Sequence, residues 1–286
     1  MNHISIEDLI KAGAHFGHPT SRWHPGFSNY IYMKKNGVHI IDIEQTSQCM
    51  IRAAKAVGKI VQSDGNVLFV GTKKQAKDVV QQAADRCGMY YIVERWLGGT
   101  LTNYGTIKKS IKRLTILEKE SSEIYANLTK KELNSLERER LRLADLHRGI
   151  KDMRHLPSAL FIVDGIHEKI AIAEARVLGI PTFGIIDSNT DPTDIDFPIP
   201  ANDDSMKTIH LIVNYIADAI IEATGGTVGS DLSNEELSEV PSETESEAIK
   251  ENIESTTADS PIPANSIETS DEIVEVSAES KKDKQE

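Results

Sequence analysis

Three short apolar runs limit what this chain can fold into. Asn66-Val-Leu-Phe-Val70, Ala159-Leu-Phe-Ile-Val163 and Pro181-Thr-Phe-Gly-Ile-Ile186 are apolar at nearly every position. Because they do not alternate apolar with polar, each reads as a β-strand covered on both faces. Such strands need helices on two sides, and 286 residues are enough to supply them. Met50, Ala53, Ala54, Val57, Ile60 and Val61 recur at helical spacing and predict a helix over 44–63. Further helices are expected from Lys73-Lys74 to Cys87, over 167–178 ahead of Gly179, and over 206–224 behind the cap Asp203-Asp204-Ser205. Two more strands, at 90–93 and 197–199, complete an alternation that predicts one three-layer α/β domain with a mostly parallel sheet.

Two regions break that rhythm. Near the start, Ser5-Ile-Glu-Asp8 has the pattern of a capping box for a short helix ending near Gly13. An irregular arm with two prolines follows over 15–25. Next comes a hairpin, with strands at 30–33 and 38–42 and Lys34-Lys35-Asn36-Gly37 as its turn. Between 102 and 155 no strand signal occurs. Ile107 and Leu114, Leu117 and Ile124, and Leu136, Leu143 and Ile150 recur at sevens, with a break at Asn127-Leu-Thr129. An antiparallel, coiled-coil-like helical hairpin projecting from the body over 103–155 is expected; two ordinary helices packed on the sheet are the alternative.

The net charge of −12 is unevenly distributed. Residues 227–286 carry 17 acidic and 4 basic side chains and no Phe, Trp or Tyr, which predicts a disordered acidic tail. The body, 1–226, is then nearly neutral and free to segregate its cations. No apolar run reaches the ~18 residues a bilayer requires, and no secretory or organelle leader is visible, so no membrane partner is expected. Cys49 and Cys87 have no metal-type spacing and fit a reducing cytoplasm.

Catalytic and cofactor motifs fall short of their chemistry. Gly71-Thr-Lys-Lys74 follows a strand but lacks the Walker spacing, and Gly98-Gly99 lacks the third glycine of a dinucleotide loop. Asp164, Asp187, Asp191, Asp194 and Asp196 gather near expected strand ends, where they read as turns and caps or as outer ligands of Mg²⁺. His15, His18 and His24 read as packing of the arm, or as part of a zinc site without a fourth ligand. No nucleophile elbow or acid–base carboxylate pair stands out. The expectation is a non-enzyme with no cofactor, no metal and no small-molecule substrate.

The cations carry more information. Arg22, Trp23 and His24 form one cluster, Lys34, Lys35 and Asn36 another, and Lys73 and Lys74 a third. The longest stretch runs from Arg95 and Trp96 through Thr102 and Asn103 to Lys108, Lys109, Lys112 and Arg113, with Lys151 and Arg154 beyond. Lys and backbone N–H groups hold phosphates, whereas Arg and indole planes stack on unpaired bases. RNA binding is one reading; solvated lysines and a Trp96 that caps the core are the other.

Gly13-Ala-His-Phe-Gly-His18, Trp23-His-Pro25, Val38-His-Ile-Ile-Asp42, Phe69-Val-Gly-Thr-Lys73 and Arg95-Trp-Leu-Gly-Gly-Thr-Leu-Thr-Asn103 resemble signature segments of bacterial small-subunit ribosomal protein two. Gly149-Ile-Lys-Asp-Met153, Leu178-Gly-Ile-Pro181, Asp187-Ser-Asn-Thr-Asp-Pro192 and Ile199-Pro-Ala-Asn-Asp-Asp204 continue the likeness, in order, to Gly226. The resemblance implies a flavodoxin-like, Rossmann-like domain with a protruding coiled-coil hairpin. It also implies a structural constituent of the small ribosomal subunit that binds ribosomal RNA in the cytoplasm. The partners it implies are other small-subunit proteins, among them the large mRNA-binding ribosomal protein one. Rival readings are a nucleotide-binding enzyme on a doubly wound sheet and a protein-interaction module built on the hairpin.

Overall fold

Strands β4 (Val67–Val70), β6 (Ala159–Val163) and β7 (Thr182–Ile186) are buried at every residue and lie side by side, all parallel. β5 (Tyr90–Ile92) adds to the β4 edge and β8 (Phe197–Pro200) to the β7 edge, giving the order β5-β4-β6-β7-β8. The computed structural model from which this is read describes residues 4–119 and 129–226. The tail over 227–286, Ile124 and the break at Asn127 lie outside the described residues.

Alternate side chains of these strands feed two cores. Phe69, Phe161 and Phe183 point to one face, where α2 (Ile43–Gln62), α3 (Lys77–Cys87) and α7 (Met206–Ala223) cover them. Leu68, Leu160 and Ile162 point to the other, beneath Ile107 and Ile111 of α4 (Tyr104–Glu118) and Ala171, Ile172 and Ala175 of α6 (Lys169–Leu178). Each fully buried Phe or Leu contributes about 1.5–3 kcal/mol relative to exposure. A three-layer arrangement is therefore the one that covers strands apolar on both sides. The helix limits follow from local chemistry: Asp42 Oδ1 accepts from the Glu44 N–H at 3.0 Å, Ser205 caps α7, and Gly88 and Gly179 end α3 and α6 in the left-handed conformation.

The N-terminal region differs from expectation. After α1 (Ile6–Lys11) the supposed irregular arm contains a strand, β1 (Phe16–Pro19). It pairs antiparallel with β3 (Val38–Ile41), so the hairpin of β2 (Ile31–Lys35) and β3 becomes a three-stranded sheet of order β1-β3-β2. Phe-Gly-His-Pro has no alternating pattern to announce a strand. Gly17 is required by proximity: a Cβ there would stand 2.9 Å from Ser188 Oγ and 3.2 Å from the His39 carbonyl. Residues Pro25–Tyr30 form a 3-10 helix.

α4 changes partner along its length. Its first half packs on the sheet, whereas Leu114 and Leu117 meet Leu143 of α5 (Lys130–His147) in a separate small core, with Leu136 and Ala144 at its margin. Thr129 caps α5 through a box with Glu132. Among the described residues no helix is long and apolar enough to cross a membrane.

Candidate functional site

In the order β5-β4-β6-β7-β8 the chain reverses direction across the sheet between β4 and β6. A doubly wound sheet leaves a crevice at that point, outside the carboxyl ends of its strands. Lys73, which follows β4, is enclosed there. Its ammonium lies 3.3 Å from Asp164 at the end of β6, 2.8 Å from Asp203 and 2.7 Å from Asp204. Burial works to lower the Lys73 pKa, but Asp203, Asp204 and Asp164 outweigh it and raise it, so the ammonium stays charged. Burial, reinforced by Asp164 and Asp187, pushes Asp203 up to about 7. The cluster holds more carboxylates than cations, and the most buried one keeps a proton longest. Lys73 was expected to meet an external phosphate; it is instead the internal counter-ion of this crevice. Neighbouring Lys74 is exposed and makes no ion pair among the described residues.

The three histidines of the N-terminal region do not converge. His18 Nδ1 lies 2.7 Å from Asp187, whose hydrogen bond, against the cost of burial, raises the imidazole pKa; its Nε2 is 3.6 Å from Asp204. His24 caps the 3-10 helix, and its Nε2 is 3.9 Å from Asp191, while His15 stacks against Phe16. One ring nitrogen of His18 and one oxygen each of Asp203 and Asp204 lie within 4.8 Å of one another. That nitrogen–oxygen set has the chemistry to take a divalent cation, with Asp203 Oδ2 buried and not otherwise hydrogen-bonded. This set differs from the His15, His18 and His24 grouping that spacing offered, since only His18 belongs to it.

A second site surrounds the Gly98-Gly99 turn. The Glu174 carboxylate, on the inner side of α6, accepts hydrogen bonds from the N–H groups of Gly99 (2.7 Å), Leu101 (2.9 Å) and Thr102 (3.1 Å). It accepts two more from the Trp96 indole and the Thr102 hydroxyl, each at 3.1 Å. Burial acts to raise the pKa of this carboxyl, but the N–H donors prevail and hold it below the usual range. Trp96 is thus a buried anchor, 8% exposed, and offers no stacking face. Arg95, Thr102 and Asn103 are exposed at the rim, and Asn103 Oδ1 accepts from the Thr106 hydroxyl at 3.0 Å.

Lys108, Lys109 and Lys112 continue from this turn along the exposed side of α4, with no ion pair among the described residues. Arg113 does not join them. It lies on the side where Leu114 and Leu117 turn toward α5, and its guanidinium makes two hydrogen bonds to Glu139 at 3.0 and 3.1 Å. Lys151 is likewise paired, with Glu118, whereas Arg154 is exposed.

On the antiparallel sheet Lys34 and Lys35 belong to β2, and the turn proper is Asn36-Gly37, both with positive φ (52° and 78°). Lys34 Nζ sits 5.5 Å from the ring centroid of half-buried Trp23, which lies in turn 5.2 Å from His39. Arg22 is exposed. Tyr32, two residues before Lys34 at the irregularity between Ile31 and Met33, is 72% exposed, and no motif marks it.

The model of the family described as Ribosomal protein S2 matches residues 9–223. The chain belongs to that family. The match covers α2 to α7, the five-stranded sheet, the antiparallel sheet and both helices of the 103–155 insert. Ribosomal protein S2 is a structural component of the small ribosomal subunit and not an enzyme family.

Proposed function

We propose that this protein binds ribosomal RNA in the small subunit through two exposed cationic surfaces that its α/β scaffold holds in fixed positions. The observation that carries this reading is Lys108, Lys109 and Lys112, exposed together without an ion pair among the described residues beside a turn locked by Glu174. Arg22, Lys34, Lys35 and Asn36, with Trp23 and Tyr32, form the second surface, and Lys74, Arg95 and Arg154 are isolated contacts. Affinity comes mainly from phosphate neutralisation, with Trp23 and Tyr32 as the aromatic planes for unpaired bases. Lys73 and Trp96 support the scaffold from within, and Arg113 and Lys151 through ion pairs at its surface. Binding resides in 1–226, with 103–155 as an inserted coiled-coil hairpin that spans separate RNA helices or a protein neighbour. The acidic segment 227–286 takes no part. In the cytoplasmic ribosome the protein also assists recruitment of ribosomal protein one.

The test is the salt dependence of binding to small-subunit ribosomal RNA. Replacing Lys108, Lys109 and Lys112 with alanine should lower the log–log slope by roughly two to three, since each phosphate contact contributes nearly one. An unchanged slope in a folded variant removes this face from the interface.

A further inference from the structure

α6 is apolar on two opposite sides. Ala171, Ile172 and Ala175 face the sheet and are buried. Ile170, Ala173 and Val177, at helical spacing on the outer side, are exposed, and Ile166 extends the stripe by one turn ahead of the helix. The exposures are large: 52% for Ile166, 58% for Ile170 and 76% for Val177. A helix apolar all round is normally covered all round, and a contiguous exposed apolar stripe marks an interaction surface.

The charges beside the stripe indicate what covers it. His167 and Lys169 are exposed next to Ile166 and Ile170, while both acids of this segment, Glu168 and Glu174, are turned inward and consumed by Thr72 and by the Gly99 turn. Lys169 makes no ion pair among the described residues, and Arg176 at the far end is held by Asp194 at 2.9 Å. The border is therefore basic where it is unpaired. RNA would satisfy the charges but would gain nothing from aliphatic side chains, which neither stack on bases nor hydrogen-bond to their edges. A second copy of this chain would bring Lys169 against a like charge.

We infer that the outer face of α6 is a protein-docking surface, and that its occupant is an amphipathic segment of another small-subunit protein bearing Asp or Glu beside its apolar residues. This rests on family membership and not on the cationic surfaces proposed for RNA, so the two can fail separately.

The experiment places the photo-crosslinking residue benzoyl-phenylalanine at position 170 of the full-length protein in assembled small subunits. The expected product joins position 170 to an acid-flanked apolar segment of a different protein. The double variant Ile170→Glu/Val177→Glu, with the same crosslinker at position 166, should lose that product at least tenfold. Its thermal midpoint should stay within a few degrees, because both side chains are exposed. A crosslink to RNA, a crosslink to a second copy, or no crosslink overturns the inference. RNA crosslinks from position 108 would meanwhile report on the other reading.

Discussion

The indole N–H of Trp96 donates to Glu174 across 3.1 Å, and with that contact the turn that starts α4 is fastened to the underside of α6. Removing the carboxylate by Glu174→Ala leaves the Trp96, Gly99, Leu101 and Thr102 donors without their acceptor. We expect a loss of about 3–5 kcal/mol in urea unfolding, together with a red shift of Trp96 fluorescence. Glu174→Gln should recover only part of this, since its amide would point an N–H at other N–H groups. A loss below about 1 kcal/mol for the alanine variant would show that the turn holds itself.

The two glycines of that turn are not equivalent. Gly99 has φ of 88°, and a Cβ there would stand 3.1 Å from the Asn103 Cβ, whereas Gly98 has open space around it. Gly99→Ala should cost about 1–2 kcal/mol through left-handed backbone strain, while Gly98→Ala should stay within about 0.5 kcal/mol of the parent. Thermal unfolding of the two single variants gives the comparison. Equal effects would contradict the assignment of the turn to Gly99.

Legibility of this molecule in its sequence followed the range of the forces involved. The five parallel strands and their helices could be read because burial on two faces dictates composition at each position of a run such as Ala159-Leu-Phe-Ile-Val163. The Asn36-Gly37 turn could be read because backbone sterics are local. β1 could not, since pairing with β3 is a distant backbone contact and Phe-Gly-His-Pro has no alternation. At the site, sequence gathered cations by proximity and gave no account of which had internal acids. Lys73 meets Asp203 and Asp204, 130 and 131 positions away; Arg113 meets Glu139 through α5. Glu174 left one faint signal, a lone acid on the inner side of an otherwise apolar helix, where a buried charge demands donors.

The buried histidines should make the fold less stable as pH drops from neutrality, while the buried acids Asp203, Glu168 and Asp218, whose pKa values burial raises, act in the opposite direction. Burial lowers the pKa of His147, whose ring is 1% exposed and lies 2.8 Å from the Ser110 hydroxyl between α4 and α5. Below its ordinary value of 6.5 the unfolded chain takes up a proton that the folded ring resists, so acidification favours unfolding by at most about 1.4 kcal/mol per pH unit. His15 and His39, also lowered by burial, act in the same direction. His18, raised chiefly by its hydrogen bond to Asp187, opposes them: its contribution is present below pH 6.5 and is lost as pH rises through its folded value. In denaturation curves taken from pH 7 to 5, His147→Gln should reduce the acid-side slope by up to one proton. An unchanged slope would mean that His147 protonates freely in the folded state.

Lys73 and Lys74 are adjacent in sequence and should separate cleanly by experiment. Lys73 neutralises Asp164, Asp203 and Asp204 in the crevice beyond β4, so Lys73→Ala strands buried carboxylates and should cost about 3–5 kcal/mol. Its effect on the salt slope of RNA binding, measured at a temperature where the variant remains folded, should be nil. Lys74 is exposed and unpaired among the described residues, so Lys74→Ala should leave the unfolding free energy within about 0.5 kcal/mol. If Lys74 meets a phosphate, its loss lowers the slope by roughly one. The ordering is what matters, because an RNA interface that used Lys73 directly would have to break three ion pairs to recruit it. A slope that falls with Lys73→Ala and not with Lys74→Ala would move the interface into the crevice and return the acidic cluster to the functional site.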